Sequence, residues 1–274
     1  MSPFLRHIQA CNTLPGLEHL HPWRIAGQVV GYVPAGRAAQ LAVLPGWQET
    51  PQGLALAAAD PAATLAASAL ALGLRPRGEL FDVRPSPEGD SLAVLDRGAI
   101  PSFGVIGQGV HVNGLVRRAD GLHIWVGWRA MTKPVAPGQL DNLIAGGTPA
   151  GYSAFECMVK EAEEEASVPA ALARTARHVA RLSYMMDLPE GIRRDVMQVY
   201  DLELPEDFTP TPNDGEVDRF ELWPARRLQA HLRAASDVKF NVTLALIDLF
   251  LREGLIDPGG AEGLALRQGL HRWA

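Results

Sequence analysis

Four of the five residues from Glu161 to Glu165 are glutamate. Like charges four positions apart destabilise a helix, so the cluster is either a solvated acidic stripe or part of a site that a cation neutralises. On a helix, Glu161, Glu164 and Glu165 fall on one side, while the apolar residues of the same segment fall on another. Carboxylate oxygens are the ligands that hard cations such as Mg²⁺ prefer. The spacing alone leaves both interpretations open.

Composition limits the class of protein that could carry this cluster. The chain has 274 residues and is 47% hydrophobic, which is enough for one large domain or two of ordinary size. The net charge of −6 argues against a nucleic-acid partner. No run approaches 18 consecutive apolar residues, so we expect no membrane partner. The amino-terminal residues lack the apolar stretch of a signal peptide, and Cys11 and Cys157 are isolated, so we expect a cytoplasmic protein with reduced thiols.

The chain changes character near residue 105, where "RGAIPSFG" is typical of a linker. Before this point, the pattern predicts strands over residues 23–34 and 39–47 and a helix from Asp60, its N-cap, to Gly73. We expect residues 1–105 to form an accessory α/β domain. Residues 106–274 should form a second domain that contains the glutamates.

The second half predicts an antiparallel hairpin around Asp120–Gly121, followed by the glutamate helix. The later elements predicted are a helix over residues 170–182, strands over 193–205 and 215–224, and helices over 224–234 and 241–254. Strands mixed with helices that pack on them predict an α+β protein built as an α/β/α sandwich.

The stretch "GGTPAGYSAFECMVKEAEEEASV" resembles the Nudix box, whose pattern is G-x5-E-x7-R-E-U-x-E-E-x-G-U with U apolar. The matching positions are Gly146, Glu161, Ala162, Glu164, Glu165 and Val168, whereas Tyr152, Lys160 and Ser167 depart from the pattern. The resemblance implies that Glu161, Glu164, Glu165 and Gly146 hold Mg²⁺, or alternatively Mn²⁺. It also implies that Glu164 and Glu165 are catalytic and that the fold is a Nudix-type sandwich.

The wider segment, including "GWRAMTKPVAPGQLDNLIAGG" and "YDLELPEDFTP", resembles a Nudix subgroup with an extra amino-terminal domain, related to thiamine pyrophosphokinase-associated proteins. This implies a hydrolase that cleaves a small-molecule diphosphate, thiamine diphosphate or an analogue, to the monophosphate and phosphate. Glu216 is the candidate for a further catalytic carboxylate. The predicted substrate contacts are Arg129 and Lys133 to phosphate, and Trp128 and Tyr152 to an aromatic ring. By local sequence, Arg129 and Lys133 are equally compatible with ordinary surface charge. Glu216 fits a polar turn slightly better than a catalytic role, and aromatic residues in and beside strands belong more often to the core.

Other functions stay open at this stage. ADP-ribose or another nucleoside diphosphate derivative is the alternative substrate, and a catalytically inactive Nudix-like ligand-binding protein is the non-enzymatic alternative. An isopentenyl diphosphate isomerase needs a cysteine before the box, where this chain has "LDNLIAGG". The accessory domain could cover the site, select the substrate or form a homodimer contact.

Overall fold

The computed structural model describes residues 2–271 and Trp273, and it is a mixture of helices and sheets. The helices are α1 (Leu5–Cys11), α2 (Ala35–Ala42), α3 (Pro61–Ala71), α4 (Ile100–Phe103), α5 (Ala154–Ala166), α6 (Ala170–Ala173), α7 (Ala225–Ala234), α8 (Val242–Arg252) and α9 (Ala261–Leu270). The strands are β1 (His21–Ile25), β2 (Gln28–Val33), β3 (Trp47–Thr50), β4 (Gly53–Leu56), β5 (Leu80–Val83), β6 (Ala93–Asp96), β7 (Ile106–Arg118), β8 (Gly121–Arg129), β9 (Leu140–Asp141), β10 (Ile144–Gly147), β11 (Arg177–Leu188), β12 (Gly191–Glu203) and β13 (Val217–Pro224).

A large mixed sheet forms the centre of the second half, in the order β11-β12-β7-β8-β13. Strands β7 and β12 run parallel, and β10 and β9 add to β7 and β8 respectively. Successive strand residues point to opposite faces, so Val199 joins the apolar core under α8 while Tyr200 joins the core under α5. Helices therefore cover both faces of the sheet. The predicted α+β class and α/β/α sandwich are confirmed.

A smaller sheet, in the order β2-β1-β4-β3, lies in the amino-terminal segment, defined here as residues 2–105. Its core is built around Trp23, Trp47 and Phe103, whose rings contact one another at centroid distances of 5.2–6.2 Å. The indole N–H of Trp23 donates to the Phe103 carbonyl oxygen at 2.7 Å, which satisfies a buried polar group. This segment has its own apolar core.

The remaining strands of the segment, β5 and β6, pair with each other as a two-stranded ribbon (residues 80–96). This ribbon contacts residues 147–150, which connect β10 of the large sheet to α5. Ala150 N–H donates to the Leu80 carbonyl oxygen at 2.7 Å. The Phe81 ring lies so close to Gly147 that a Cβ there would overlap Phe81 Cζ, which explains the glycine. The ribbon is therefore attached to the loop that precedes the glutamate helix.

Helix α1 precedes the predicted domain boundary near residue 105 in the sequence, but it packs against the second half of the chain. Phe4, Ile8 and Cys11 are buried in the same core as α8 and the large sheet. A chain starting at residue 106 would lack these three side chains and would expose apolar surface that they cover. The two-domain division stays a prediction, with α1 packed on the second domain.

Several predicted elements are confirmed, among them α3 with its Asp60 cap, the β7–β8 hairpin, β12, β13, α7 and α8. Two are wrong. Residues 39–42 belong to α2 and residues 43–46 form a turn before β3, because Pro34 and an alanine-rich run favour a helix over a strand. Residues 177–182, predicted as helix, belong to β11, because pairing with β12 along nearly its whole length outweighs their helix propensity.

Candidate active site

Helix α5 positions the glutamates, and both of its ends are defined by specific contacts. At its start, Ser153 Oγ accepts a hydrogen bond from Glu156 N–H at 3.2 Å, and Ser153 N–H donates to Glu156 Oε2 at 3.0 Å. This reciprocal capping box fixes the first turn. At its end, Ser167 takes the left-handed conformation with φ of 53°, where the box pattern has glycine.

The three predicted ligands lie in different environments on α5. Glu165 is buried, with 5% of its surface exposed, and its Oε2 accepts a hydrogen bond from Ala145 N–H at 2.9 Å. Glu161 is half-buried against β10, where a Cβ on Gly146 would lie 2.6 Å from Glu161 Cδ. Glu164 is exposed. Gly146 is thus the residue that lets the strand backbone approach the Glu161 carboxylate.

Lys160 occupies the charged side of the helix in this conformation. Its Nζ lies 3.6 Å from Glu161 Oε1 and forms a close ion pair with Glu164. Within residues 2–271 and Trp273, no three His, Cys, Asp or Glu side chains are already arranged to hold a metal ion. The predicted convergence of Glu161, Glu164 and Glu165 is therefore not preformed, because Glu164 is turned toward Lys160.

The electrostatics of the carboxylates nevertheless favour a cation. Burial raises the pKa of Glu165 well above its usual range, and Asp141 and Glu161 add to the rise. Burial also raises the pKa of Glu161, with repulsion from Glu164 and Glu216 contributing and Lys160 opposing. Glu161 and Glu165 lie beside β10, and cations of the protein only partly offset their negative charge. Their carboxylates supply the oxygen ligands that a hard divalent ion requires. The residues present fit such an ion.

A cleft of about 730 Å³ is lined by Ala145 and Gly146, the two β10 residues that contact Glu165 and Glu161. One wall is formed by β7 and β10, including Gly109, Ala145 and Gly146. The amino-terminal segment also lines the cleft and contributes Phe81 and three arginines, Arg75, Arg77 and Arg97. The cleft therefore lies between the glutamate-bearing sandwich and the β5–β6 ribbon.

Arg129, predicted to bind phosphate, lines the cleft but is held in a buried ion cluster. Its Nη1 lies 2.6 Å from Asp141 Oδ2, and Lys239 Nζ lies 2.9 Å from the same oxygen. Burial acts to raise the pKa of Asp141, but the two cations outweigh it and the net shift is downward. Arg129 is thus paired with a carboxylate, which the sequence prediction did not anticipate.

Lys133 and Glu216, predicted separately, are brought together at the rim of the cleft. They form a close ion pair, and Glu216 N–H donates to Asp214 Oδ1 at 2.8 Å. Glu216 is also near enough to Glu161 to raise its pKa. The Glu216 carboxylate therefore lies at the rim of the cleft and close to Glu161, one of the predicted metal ligands.

The two predicted aromatic contacts are not in the cleft. Trp128 packs against the core beneath the Arg219 guanidinium, 4.5 Å from its ring centroid, so its predicted stacking on substrate is not supported. Tyr152 is exposed and lines a neighbouring cavity of about 260 Å³, together with Phe81. The aromatic side chains that do line the cleft are Phe81, Tyr184 and Phe240.

His111 lies in the cleft wall as a neutral ring. Its Nδ1 lies 2.9 Å from Asn142 Oδ1 and its Nε2 lies 3.3 Å from Asn241 Nδ2. Burial lowers the pKa of His111 to about 4, with the nearby Lys239 adding to the shift. Hydrogen bonding to two amides gives this histidine a structural role in the cleft wall.

Comparison with known proteins identifies the family. The NUDIX domain model matches residues 107–243. Nudix hydrolase 24, chloroplastic, from Arabidopsis thaliana is 37% identical over 94% of this chain and 74% of its own length. The chain belongs to the NUDIX family. It is a hydrolase, and the family's members generally use divalent metal ions such as Mg²⁺.

Two further similarities give the range of relatives. Nudix hydrolase 20, chloroplastic, also from Arabidopsis thaliana, is 42% identical over 71% of this chain, which spans about half (52%) of that relative. The crystal structure of DR0079 from Deinococcus radiodurans is 20% identical, with a TM-score of 0.45, and covers 69% of this chain and 98% of its own. Among the described residues of this NUDIX hydrolase, no helix is both long and apolar enough to cross a membrane.

Proposed function

We propose that this NUDIX hydrolase cleaves the diphosphate bond of a small organic diphosphate in a Mg²⁺-dependent reaction. The observation that carries the proposal is that Glu161 lies against Gly146 and Glu165 accepts from Ala145 N–H, and both β10 residues line a cleft that also contains several cations. Phosphoryl transfer requires charge neutralisation and alignment more than covalent help, and this arrangement offers both.

Glu161, Glu164, Glu165 and the backbone of Gly146 are the groups we assign to the metal, with Mg²⁺ preferred and Mn²⁺ able to replace it. Glu164 must exchange its pairing with Lys160 for this role. A bound divalent ion supplies charge neutralisation of phosphate oxygens and a more acidic water. Glu216 is the candidate general base, because it lines the cleft and lies near enough to Glu161 to raise the pKa of that carboxyl.

For the organic group we propose thiamine diphosphate or a close analogue, cleaved to the monophosphate and phosphate. The support is the subgroup resemblance of the sequence, together with Phe81 and Phe240, which offer aromatic faces within the cleft. These two take the role that we first assigned to Trp128. Tyr152 lies beside Phe81 and can extend the aromatic surface into the smaller cavity.

The test is a substrate screen with the full-length chain. Purified protein with Mg²⁺ is offered thiamine diphosphate, its oxidised analogues, ADP-ribose, NADH and dinucleoside polyphosphates, and phosphate release is measured with and without EDTA. We expect EDTA-sensitive cleavage of a thiamine-type diphosphate. Efficient cleavage of ADP-ribose with every thiamine compound untouched would refute the substrate, and no cleavage of any diphosphate would refute the function.

Two further assignments remain proposals from the sequence. We place the protein in the cytoplasm, although the two plant relatives are named as chloroplastic. Imaging of a tagged chain in its own cell tests the location, and an organellar signal would contradict it. A homodimer formed through the amino-terminal segment is tested by sedimentation, where a monomer at micromolar concentration would exclude it.

A further inference from the structure

Most cations that line the cleft are already paired with a carboxylate. Arg97 Nη1 lies 2.8 Å from Glu79 Oε2, and Arg193 Nη1 lies 3.2 Å from Asp195 Oδ2. Arg129 and Lys239 share Asp141, and Lys133 contacts Glu216, as described above. Such cations are largely neutralised before any ligand arrives.

Arg75 and Arg77 differ from all of these. Both line the cleft and both are exposed. Neither guanidinium has an ion pair or a side-chain hydrogen bond with any residue in the described part of the chain. Two guanidinium groups without a hydrogen-bonded side-chain partner in that part of the chain, two positions apart on one loop, leave positive charge at the cleft wall, which the attraction between Arg77 and Asp96 offsets only in part.

The loop that carries them is held by one carboxylate. Asp96 accepts hydrogen bonds from the backbone N–H groups of Arg77 and Gly78 at 2.9 Å each, and from that of Gly98 at 2.7 Å. A Cβ on Gly98 would lie 2.6 Å from the Arg75 carbonyl oxygen, so the two chain segments are in direct contact. This backbone is ordered before substrate binds, which reduces the entropy lost on binding.

The loop also has a fixed position relative to the glutamates. It leads directly into β5, whose Leu80 carbonyl oxygen accepts from Ala150 N–H and whose Phe81 ring packs on Gly147. Gly147 follows Gly146, the residue that contacts Glu161. Arg75 and Arg77 therefore line the same cleft as Ala145 and Gly146, the two β10 residues that contact Glu165 and Glu161.

We propose that Arg75 and Arg77 form an anion-binding subsite that holds the terminal phosphate of the substrate. The inference rests on the proposed function, because it assumes a diphosphate substrate in this cleft. Guanidinium groups match phosphate oxygens with paired, charge-assisted hydrogen bonds, which a carboxylate-lined wall cannot provide. The amino-terminal segment thereby favours substrates that carry a second, terminal phosphate, such as a diphosphate ester over its shorter monophosphate product.

The test uses the non-hydrolysable diphosphate mimic methylenediphosphonate and the full-length protein. Its Kd is measured by titration calorimetry with Mg²⁺ present, for the wild type and for the double variant Arg75→Gln/Arg77→Gln. The matched control is Arg226→Gln, an exposed arginine on α7 that has no ion pair or side-chain hydrogen bond within residues 2–271 and lies outside the cleft. We expect the double variant to bind at least about tenfold more weakly, which corresponds to about 1.4 kcal/mol, with the control unchanged.

Two more measurements separate the possible failures. In the hydrolysis assay, the double variant should raise KM with kcat little changed, and Arg75→Lys/Arg77→Lys should restore part of the affinity by restoring charge. Wild-type affinity in the folded double variant overturns the subsite, whatever the enzyme hydrolyses. Loss of methylenediphosphonate binding in the double variant of a protein that hydrolyses no diphosphate keeps the subsite and refutes only the proposed function.

Discussion

Gly146→Ala is the substitution that tests the geometry of the site most sharply. The added Cβ would lie 2.6 Å from Glu161 Cδ and 2.7 Å from Cγ. Carbon atoms pack best at about 3.5–4.0 Å, so the Glu161 carboxylate must move by about 1 Å. A displacement of that size at a reacting centre can lower the rate about 100-fold, equivalent to about 2.7 kcal/mol in the activation barrier.

The same substitution should leave the fold intact. Gly146 is not among the glycines with positive φ, and the group that must move is a flexible side chain, so we expect the free energy of unfolding to change by less than about 1 kcal/mol. The assay is kcat/KM for Mg²⁺-dependent phosphate release, together with Tm. The control is Gly36→Ala in α2, where no atom lies within 4 Å of the added Cβ. A folded Gly146→Ala enzyme with wild-type activity would refute the role of Glu161.

Three further substitutions separate catalytic from structural roles. Glu165→Gln should lower kcat by orders of magnitude. In metal-free protein, the same substitution should raise Tm at pH 7. The reason is that a carboxyl group whose pKa is raised in the folded state destabilises the fold as the pH rises above about 4.5, and glutamine removes that group. Calorimetry in EDTA should show that gain disappear toward pH 4, and a lower Tm at pH 7 would contradict the reasoning. Arg129→Ala should lower kcat/KM and also cost about 3 kcal/mol of stability, measured by denaturant unfolding, because the buried Asp141 loses one of the two cations, Arg129 and Lys239, that contact its Oδ2. Trp128→Phe should leave KM unchanged in the hydrolysis assay, since the ring lies outside the cleft, and a raised KM would restore it as a substrate contact.

Local patterns were sufficient to predict the part of the fold that carries the glutamates. The apolar side of α5 and its capping serine are properties of neighbouring residues, and the structure has the helix over Ala154–Ala166. Strand β11 could not be predicted in the same way. Its sequence "RHVARL" favours a helix by propensity, and only its pairing with β12, from a later part of the chain, makes it a strand.

The site was predictable to the extent that it lies within one segment. Lys160 and Glu164 are four apart, so their ion pair follows from helix geometry. The partners of Arg129 do not follow from spacing, because Lys239 comes from a loop that carries no motif. Arg75 and Arg77 are likewise separated from the box by about seventy residues, and only the docking of the β5–β6 ribbon on the box loop brings them to the cleft.

The central claim is that a divalent ion held by the α5 carboxylates drives diphosphate hydrolysis. The most direct measurement is the Mg²⁺ dependence of phosphate release for the wild type, for Glu164→Gln and for Glu163→Gln, an exposed glutamate on the same helix that we do not assign to the metal. We expect the wild type and Glu163→Gln to saturate with Mg²⁺ and to lose activity in EDTA, while Glu164→Gln stays folded but turns over orders of magnitude more slowly. Wild-type turnover that persists in EDTA, or a Mg²⁺ response of Glu164→Gln identical to that of Glu163→Gln, would contradict the claim.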